Sequence, residues 1–205
     1  MNNFNDLNYQ LKKLEEELGV FSPESQKKIH QALATSSKWH QGQKRLNGAD
    51  YIIQPIRAAL ILLRELKVSD VKVICAALLH DTLEDTNLAP SEIKENFGSE
   101  VLSMVQALTI SKDEGYQHFI GKVMKDTHGA RFIKYADRLD NCRDWFSIID
   151  SKPDFVSKSL GRVEEFYLPL ANLVDPTGYL KKEIEYNVKK AKQILELINN
   201  DDSRK

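Results

Sequence analysis

Val73-Ile74-Cys75-Ala76-Ala77-Leu78-Leu79-His80-Asp81-Thr82-Leu83-Glu84-Asp85 begins as an unbroken apolar run and ends in a histidine and three acids. The run predicts a buried helix, continuous from Val71 to Asp85. On it, Asp81, Glu84 and Asp85 stand at i, i+3 and i+4 and share one face, with His80 able to reach round the same end. Burying an unpaired carboxylate costs several kcal/mol or more, so this grouping points to a cation that neutralises it. The plainer alternative is a solvated acidic face following a core stretch. Downstream, Phe132-Ile133-Lys134-Tyr135-Ala136-Asp137-Arg138-Leu139-Asp140-Asn141 sets Asp137, Asp140 and Asn141 at the same spacing. Two such faces from separate helices predict a metal cage.

The rest of the composition fits that picture and excludes several others. The chain has 205 residues, 41% hydrophobic and 29% charged, enough for one globular domain with a sizeable core. Its 29 basic and 30 acidic side chains leave a net charge of −1, which argues against binding long nucleic acid or an anionic membrane surface. Cys75 and Cys142 lack zinc-type spacing and lie in helical patterns, so they read as reduced core thiols. Residues 1–10 lack the basic and apolar regions of a secretory signal, and no apolar stretch reaches the roughly 18 to 20 residues that span a bilayer. The expectation is a cytoplasmic protein.

Prolines and glycines fall between segments of helical period and strand-like alternation is scarce, so the fold class is all-α, a compact helical bundle. An amphipathic helix is expected within residues 1–20, packed on the main domain through Leu7, Leu11, Leu14 and Leu18. Ser22-Pro23-Glu24 reads as an N-cap followed by proline in the first turn. Residues 42–50 form a turn rich in Arg and Lys, and Pro55 opens the next helix. Further helices are expected near 90–97, 100–108, 118–125, 131–149, 156–173 and 179–199. The main domain is 21–198, and 199–205 reads as a disordered tail.

Several motifs follow one another in a recognisable order. They are His40-Gln41-Gly42-Gln43-Lys44-Arg45, Tyr51-Ile52-Ile53-Gln54-Pro55-Ile56, Ala76 through Thr86, Phe97-Gly98, Leu108-Thr109, Lys134 through Leu139 with Asn141, and Tyr167-Leu168-Pro169-Leu170-Ala171. In this order and at these distances the chain resembles the HD-domain phosphohydrolases, and more narrowly the hydrolase domain of the RelA/SpoT-like alarmone enzymes in their stand-alone small form. The resemblance implies an HD-type helical bundle, a bound Mn²⁺ and removal of the 3′-pyrophosphate from (p)ppGpp or a related alarmone. It puts metal ligands at His80, Asp81, Asp137 and Gln54, and makes Glu84 and Asp85 the groups that orient or deprotonate water. Arg45, Asn141 and Tyr167 become substrate-binding candidates, and the partner is a small anionic nucleotide.

Read without the resemblance, Arg45 is an ordinary surface cation, Asn141 a helix-packing or capping group, and Tyr167 a core tyrosine. His40 reads as a group that orients the Arg45 loop. Two positions depart from the family's pattern. Gln54 offers a neutral amide where the pattern has histidine, which means either weaker or water-mediated ligation or a disabled site. Asp140 replaces another histidine and reads either as added negative charge near the metal or as a surface acid paired with Arg138 or Arg143. Leu46, after Arg45, leaves guanosine and adenosine alarmones both open. Beside the alarmone hydrolase stand two alternatives: an HD phosphohydrolase for another nucleotide, and a degenerate HD protein that binds a nucleotide or a protein partner without turnover.

Overall fold

The computed structural model describes residues 3–126 and 128–202, and among them the chain is helical, with no strand beyond one isolated bridge between Lys44 and Asp50. It forms two compact units, one up to Asp137 and one from Arg138 onward.

The first unit is built around α4 (Val71–Leu79), which the Asp70 carboxylate opens by accepting from Lys72 N at 2.8 Å. Every side chain from Val73 to Leu79 is buried. Each large aliphatic group among them contributes about 1.5–3 kcal/mol of burial, so α4 is the natural centre of packing. Against it lie α2 (Pro23–Trp39), α3 (Ile53–Leu60) and α7 (Ser99–Leu108), while α1 (Leu7–Leu18) covers α3. Ser22 caps α2 with Pro23 in its first turn, as the sequence predicts.

The predicted single helix from Val71 to Asp85 is interrupted. α4 ends at Leu79, Asp81 leaves helical geometry at φ −96°, ψ −4°, and a separate turn, α5 (Thr82–Asp85), follows. The Thr82 hydroxyl donates to Leu79 O at 2.7 Å, satisfying a carbonyl that the broken helix would otherwise orphan. The α3 helix also runs on differently, widening into a π turn over Ile61–Glu65 before Lys67 takes φ +54°.

Helices α6 (Pro90–Phe97) and α8 (Tyr116–Lys125) flank α7. The helix α9 (Ala130–Asp144) carries the second acidic face. Asp126 Oδ1 accepts from the backbone N–H of His128, Gly129 and Ala130 at 3.0, 2.8 and 2.8 Å, gathering the donors at the start of α9. Gly129, at φ +142°, approaches α4 so closely that a Cβ would lie 2.7 Å from Val73 Cγ2. That contact fixes where α9 departs from α4, and hence where Asp137 falls.

In the second unit, α10 (Pro153–Arg162), a π turn (Val163–Tyr167) and α11 (Ala171–Val174) precede α12 (Tyr179–Asp202). The predicted helix over 156–173 is thus divided, because Pro169 cannot donate a backbone hydrogen bond to continue one ladder. The helix α12 extends through Asp202, and residues 203–205 of the expected tail lie outside the described residues. The two cysteines are free and buried, and burial pushes the Cys75 thiol up to about 12.

Candidate metal-dependent active site

The end of α4 delivers His80 into the core at 1% exposure. Its Nδ1–H donates to Ala77 O at 2.8 Å, so the ring is oriented by the last turn of its own helix and Nε2 faces outward from it. Nε2 lies 3.1 Å from Asp81 Oδ2 and 3.9 Å from Asp137 Oδ1. It is buried and has no aligned hydrogen-bond partner. Burial alone would lower the His80 pKa, but the carboxylates of Asp81 and then Asp137 outweigh it and push the imidazole up to about 9.

Asp81 shares this balance. Burial works against its charge, yet His80, Lys134 and the Tyr51 hydroxyl hold the carboxyl well below the usual carboxylate range. Tyr51 donates towards Asp81 Oδ2 at 2.8 Å and Asp85 Oδ2 at 2.6 Å. Burial, reinforced by those acids, drives the phenol far above its ordinary value, so it remains a proton donor. Asp137 is buried and gripped from two sides: Gln54 Nε2–H donates to Oδ1 at 2.8 Å and Lys134 Nζ to Oδ2 at 2.9 Å.

The loop before α3 supports this cluster. His40 is buried, stacks on Tyr51 with centroids 4.6 Å apart, and meets Gln43 Oε1 through Nδ1 at 2.7 Å. Gln43 in turn donates from Nε2 to Asp85 O at 2.9 Å, and its own carbonyl accepts from Tyr51 N at 3.1 Å. Arg45 sits in the turn between these two residues, closed by Gly48 N donating to Arg45 O at 2.9 Å. His40 thus contacts the residues on both sides of the Arg45 turn.

Glu84 and Asp85 are exposed at the rim. Glu84 Oε2 accepts from Ile110 N at 3.0 Å; partial burial nevertheless raises its pKa, with Asp81 and Asp85 adding to the rise. Beside both acids lies an open, polar cavity of about 340 Å³, lined by Trp39, Gln43, Glu84, Asp85, Thr86 and Asn87.

His80, Asp81, Asp137 and Gln54 are thus brought together, with Glu84 and Asp85 next to them. Among the described residues, no three His, Cys, Asp or Glu side chains close around one point tightly enough to hold a metal ion as they stand. Tyr51, Gln54 and Lys134 donate instead to the carboxylates. The donor set nonetheless fits a divalent cation: one imidazole nitrogen, two carboxylates and an amide converge, and His80 Nε2 and Gln54 Oε1 are both buried without a hydrogen-bond partner.

Asn141, Tyr167 and Asp140 belong to the second unit. Tyr167 is wholly buried, with the Arg138 guanidinium 4.5 Å over its ring and Nη2 donating to its hydroxyl at 3.2 Å. In this arrangement the ring packs in the core and its hydroxyl has a donor. Asp140 is also fully buried, which removes the surface-acid alternative. The sequence reading gave no role to Tyr51, Gln43 or Lys134, although each lies within a motif it singled out. What was missing was the hydrogen-bond partner, which only the folded chain supplies.

Comparison with known proteins agrees with this geometry. Residues 32–131 match the HD domain family. The human guanosine-3′,5′-bis(diphosphate) 3′-pyrophosphohydrolase MESH1 is 31% identical over 160 residues, covering 75% of this chain and 87% of that protein. The Aquifex aeolicus guanosine-3′,5′-bis(diphosphate) 3′-pyrophosphohydrolase is 34% identical over 171 residues, covering 80% of this chain and 24% of its relative. The chain spans 61% of the zebrafish (Danio rerio) MESH1, at 39% identity over 109 residues and 51% of this chain. Against several bacterial relatives the chain spans only about a quarter of their length or less. A solved structure of a metazoan ortholog of SpoT superposes with a TM-score of 0.60 at 24% identity, covering 80% of this chain and 94% of that one, and shares the fold. No helix among the described residues is long and apolar enough to cross a membrane.

Proposed function

The chain belongs to the RelA/SpoT-like HD-domain (p)ppGpp hydrolase family, and from that premise we propose that it removes the 3′-pyrophosphate of (p)ppGpp or a related alarmone, with Mn²⁺ as its cation. The observation that carries this reading is the buried His80 Nε2, without an aligned hydrogen-bond partner and close to the carboxylates of Asp81 and Asp137, at the end of a helix whose carbonyl fixes the ring.

His80, Asp81 and Asp137 would hold the cation, with Gln54 beside them. A bound divalent ion lowers the pKa of a coordinated water and polarises a phosphoryl oxygen. The protein's own groups supply the rest. Tyr51 orients Asp81 and Asp85, while Lys134 and Gln54 hold Asp137. Glu84, with its pKa raised by burial, is the better-suited proton carrier of the rim pair, and Asp85 orients water beside it. Arg45, on the turn anchored by Gln43 and Tyr51, meets the pyrophosphate. The two free thiols are in keeping with action in the reducing cytoplasm.

The test is pyrophosphate release from 3′-pyrophosphorylated guanosine and adenosine nucleotides by metal-stripped protein, with and without added Mn²⁺. Mn²⁺-dependent release is expected, and the faster substrate identifies the base. A second reading, binding without turnover, is favoured by the Gln54 amide that directs an N–H at Asp137. Absence of release with both nucleotides in the presence of Mn²⁺ selects it.

A further inference from the structure

Gln54 is 1% exposed and lies on α3, facing the cluster. Its amide has one atom engaged: Nε2–H donates to Asp137 Oδ1 at 2.8 Å, while Oε1 is buried with no hydrogen-bond partner. The opposite amide orientation would set an oxygen against a carboxylate oxygen at that same distance, with no hydrogen between two acceptors. Nε2 is therefore the atom that faces Asp137.

On the other side of the carboxylate, Lys134 Nζ donates to Oδ2 at 2.9 Å, so Asp137 is held at both oxygens. Each carboxylate oxygen thus accepts from one of these two side chains. An amide nitrogen carries no lone pair suited to a cation. The orphaned Oε1 is costly where it is buried without a donor, and a water of the cation's own shell is the group that would satisfy it.

Resting on the cation site proposed above, we infer that Gln54 is a positioning residue and not a ligand: it clamps Asp137 through Nε2–H. The protein ligands are then His80, Asp81 and Asp137 alone, and the ion retains a water where an imidazole at position 54 would bind. The departure at this position exchanges a ligand for a hydrogen-bond donor and leaves the rest of the set in place.

The experiment is a Mn²⁺ titration of the whole chain, reading free ion by electron paramagnetic resonance and coordinated water by water-proton relaxation, for the native protein, Gln54→Leu and Gln54→His. The clamp predicts that Gln54→Leu keeps the native number of bound waters while binding Mn²⁺ about 10- to 100-fold more weakly, the range for losing a group that orients a ligand. It predicts that Gln54→His binds more tightly with one water fewer. Gln54→Met, which also lacks the amide, replaces Gln54→Leu if the latter fails to fold. An extra water in the Leu or Met variant would make Gln54 a ligand and overturn the inference, as would unchanged affinity there or unchanged hydration in Gln54→His. Binding by Gln54→His but not by the native protein would overturn it too, by showing that the clamp does not suffice. Failure of native and Gln54→His alike to bind Mn²⁺ would reject the cation site itself, a separate result.

Discussion

The Tyr51 hydroxyl lies 2.8 Å from Asp81 Oδ2, tying the loop ahead of α3 to the acid at the end of α4. The same oxygen lies 2.6 Å from Asp85 Oδ2. A phenol carries one proton, so two carboxylates compete for a single donor, and a cation held by Asp81 would leave the hydroxyl's hydrogen bond to Asp85. The His40 ring stacked on Tyr51 keeps the phenol in this position.

Tyr51→Phe keeps the ring and the stacking but removes the donor. Mn²⁺ affinity should fall about 10- to 100-fold, as for other groups that orient a ligand, with helical content preserved. Paired Mn²⁺ titration and circular dichroism check this; native affinity in the variant would deny the hydroxyl its orienting role.

His80→Ala removes the imidazole nitrogen from the cluster. It should abolish both tight Mn²⁺ binding and pyrophosphate release, and chelator treatment of the native protein should reproduce the loss of release until Mn²⁺ is restored. Residual Mn²⁺-dependent turnover in His80→Ala would put the catalytic cation elsewhere.

Glu84→Gln is nearly isosteric and removes the titratable group while its amide oxygen can still accept from Ile110 N. Loss of a general acid or base lowers kcat by roughly 10²- to 10⁴-fold. KM should change little, because the group is assigned to proton transfer. A rise in KM with kcat intact would make Glu84 a binding residue.

Gly129→Ala should destabilise the protein by about 1–3 kcal/mol, the range for forcing extra volume into a packed contact. The added Cβ meets Val73 Cγ2 at 2.7 Å, and φ +142° is unfavourable for any residue with a side chain. A lowered urea midpoint at unchanged slope checks it; a native midpoint would mean that α9 can shift away from α4 freely.

Asp175 gives the second unit a pH-dependent component. Burial opposes its charge, but Thr177 and the backbone N–H groups of Leu180, Thr177 and Tyr179 hold the pKa below the ordinary aspartate value. Because the folded pKa is depressed, its stabilisation is present above the unfolded pKa and disappears as pH falls through the folded one. Asp175→Ala should therefore cost about 1–2 kcal/mol at neutral pH, as for loss of a helix N-terminal acceptor, and progressively less in acid. Thermal melts across that range check it, and a pH-independent difference would contradict it.

The apolar period from Val73 to Leu79 and the Ser22-Pro23 start signal were readable in the chain because each depends on neighbours in sequence. The i, i+3, i+4 argument for Asp81, Glu84 and Asp85 assumed a single helix, and that helix does not continue. Local spacing could not show that Thr82 would cap Leu79 and let Asp81 turn out of the helix. Tyr167 illustrates the converse: its motif could not show that the Arg138 guanidinium would lie over its buried ring.

By itself, then, the sequence determined the all-α class, the helix that ends at His80 and the acids that follow it, because period, capping and residue order are local properties. The tertiary structure alone decided that Tyr51 would join Asp81 to Asp85, and that Gln54 would turn its N–H rather than its oxygen to Asp137. Those choices depend on donors and acceptors 30 to 83 residues apart in the chain, which meet only when α3, α4 and α9 pack together.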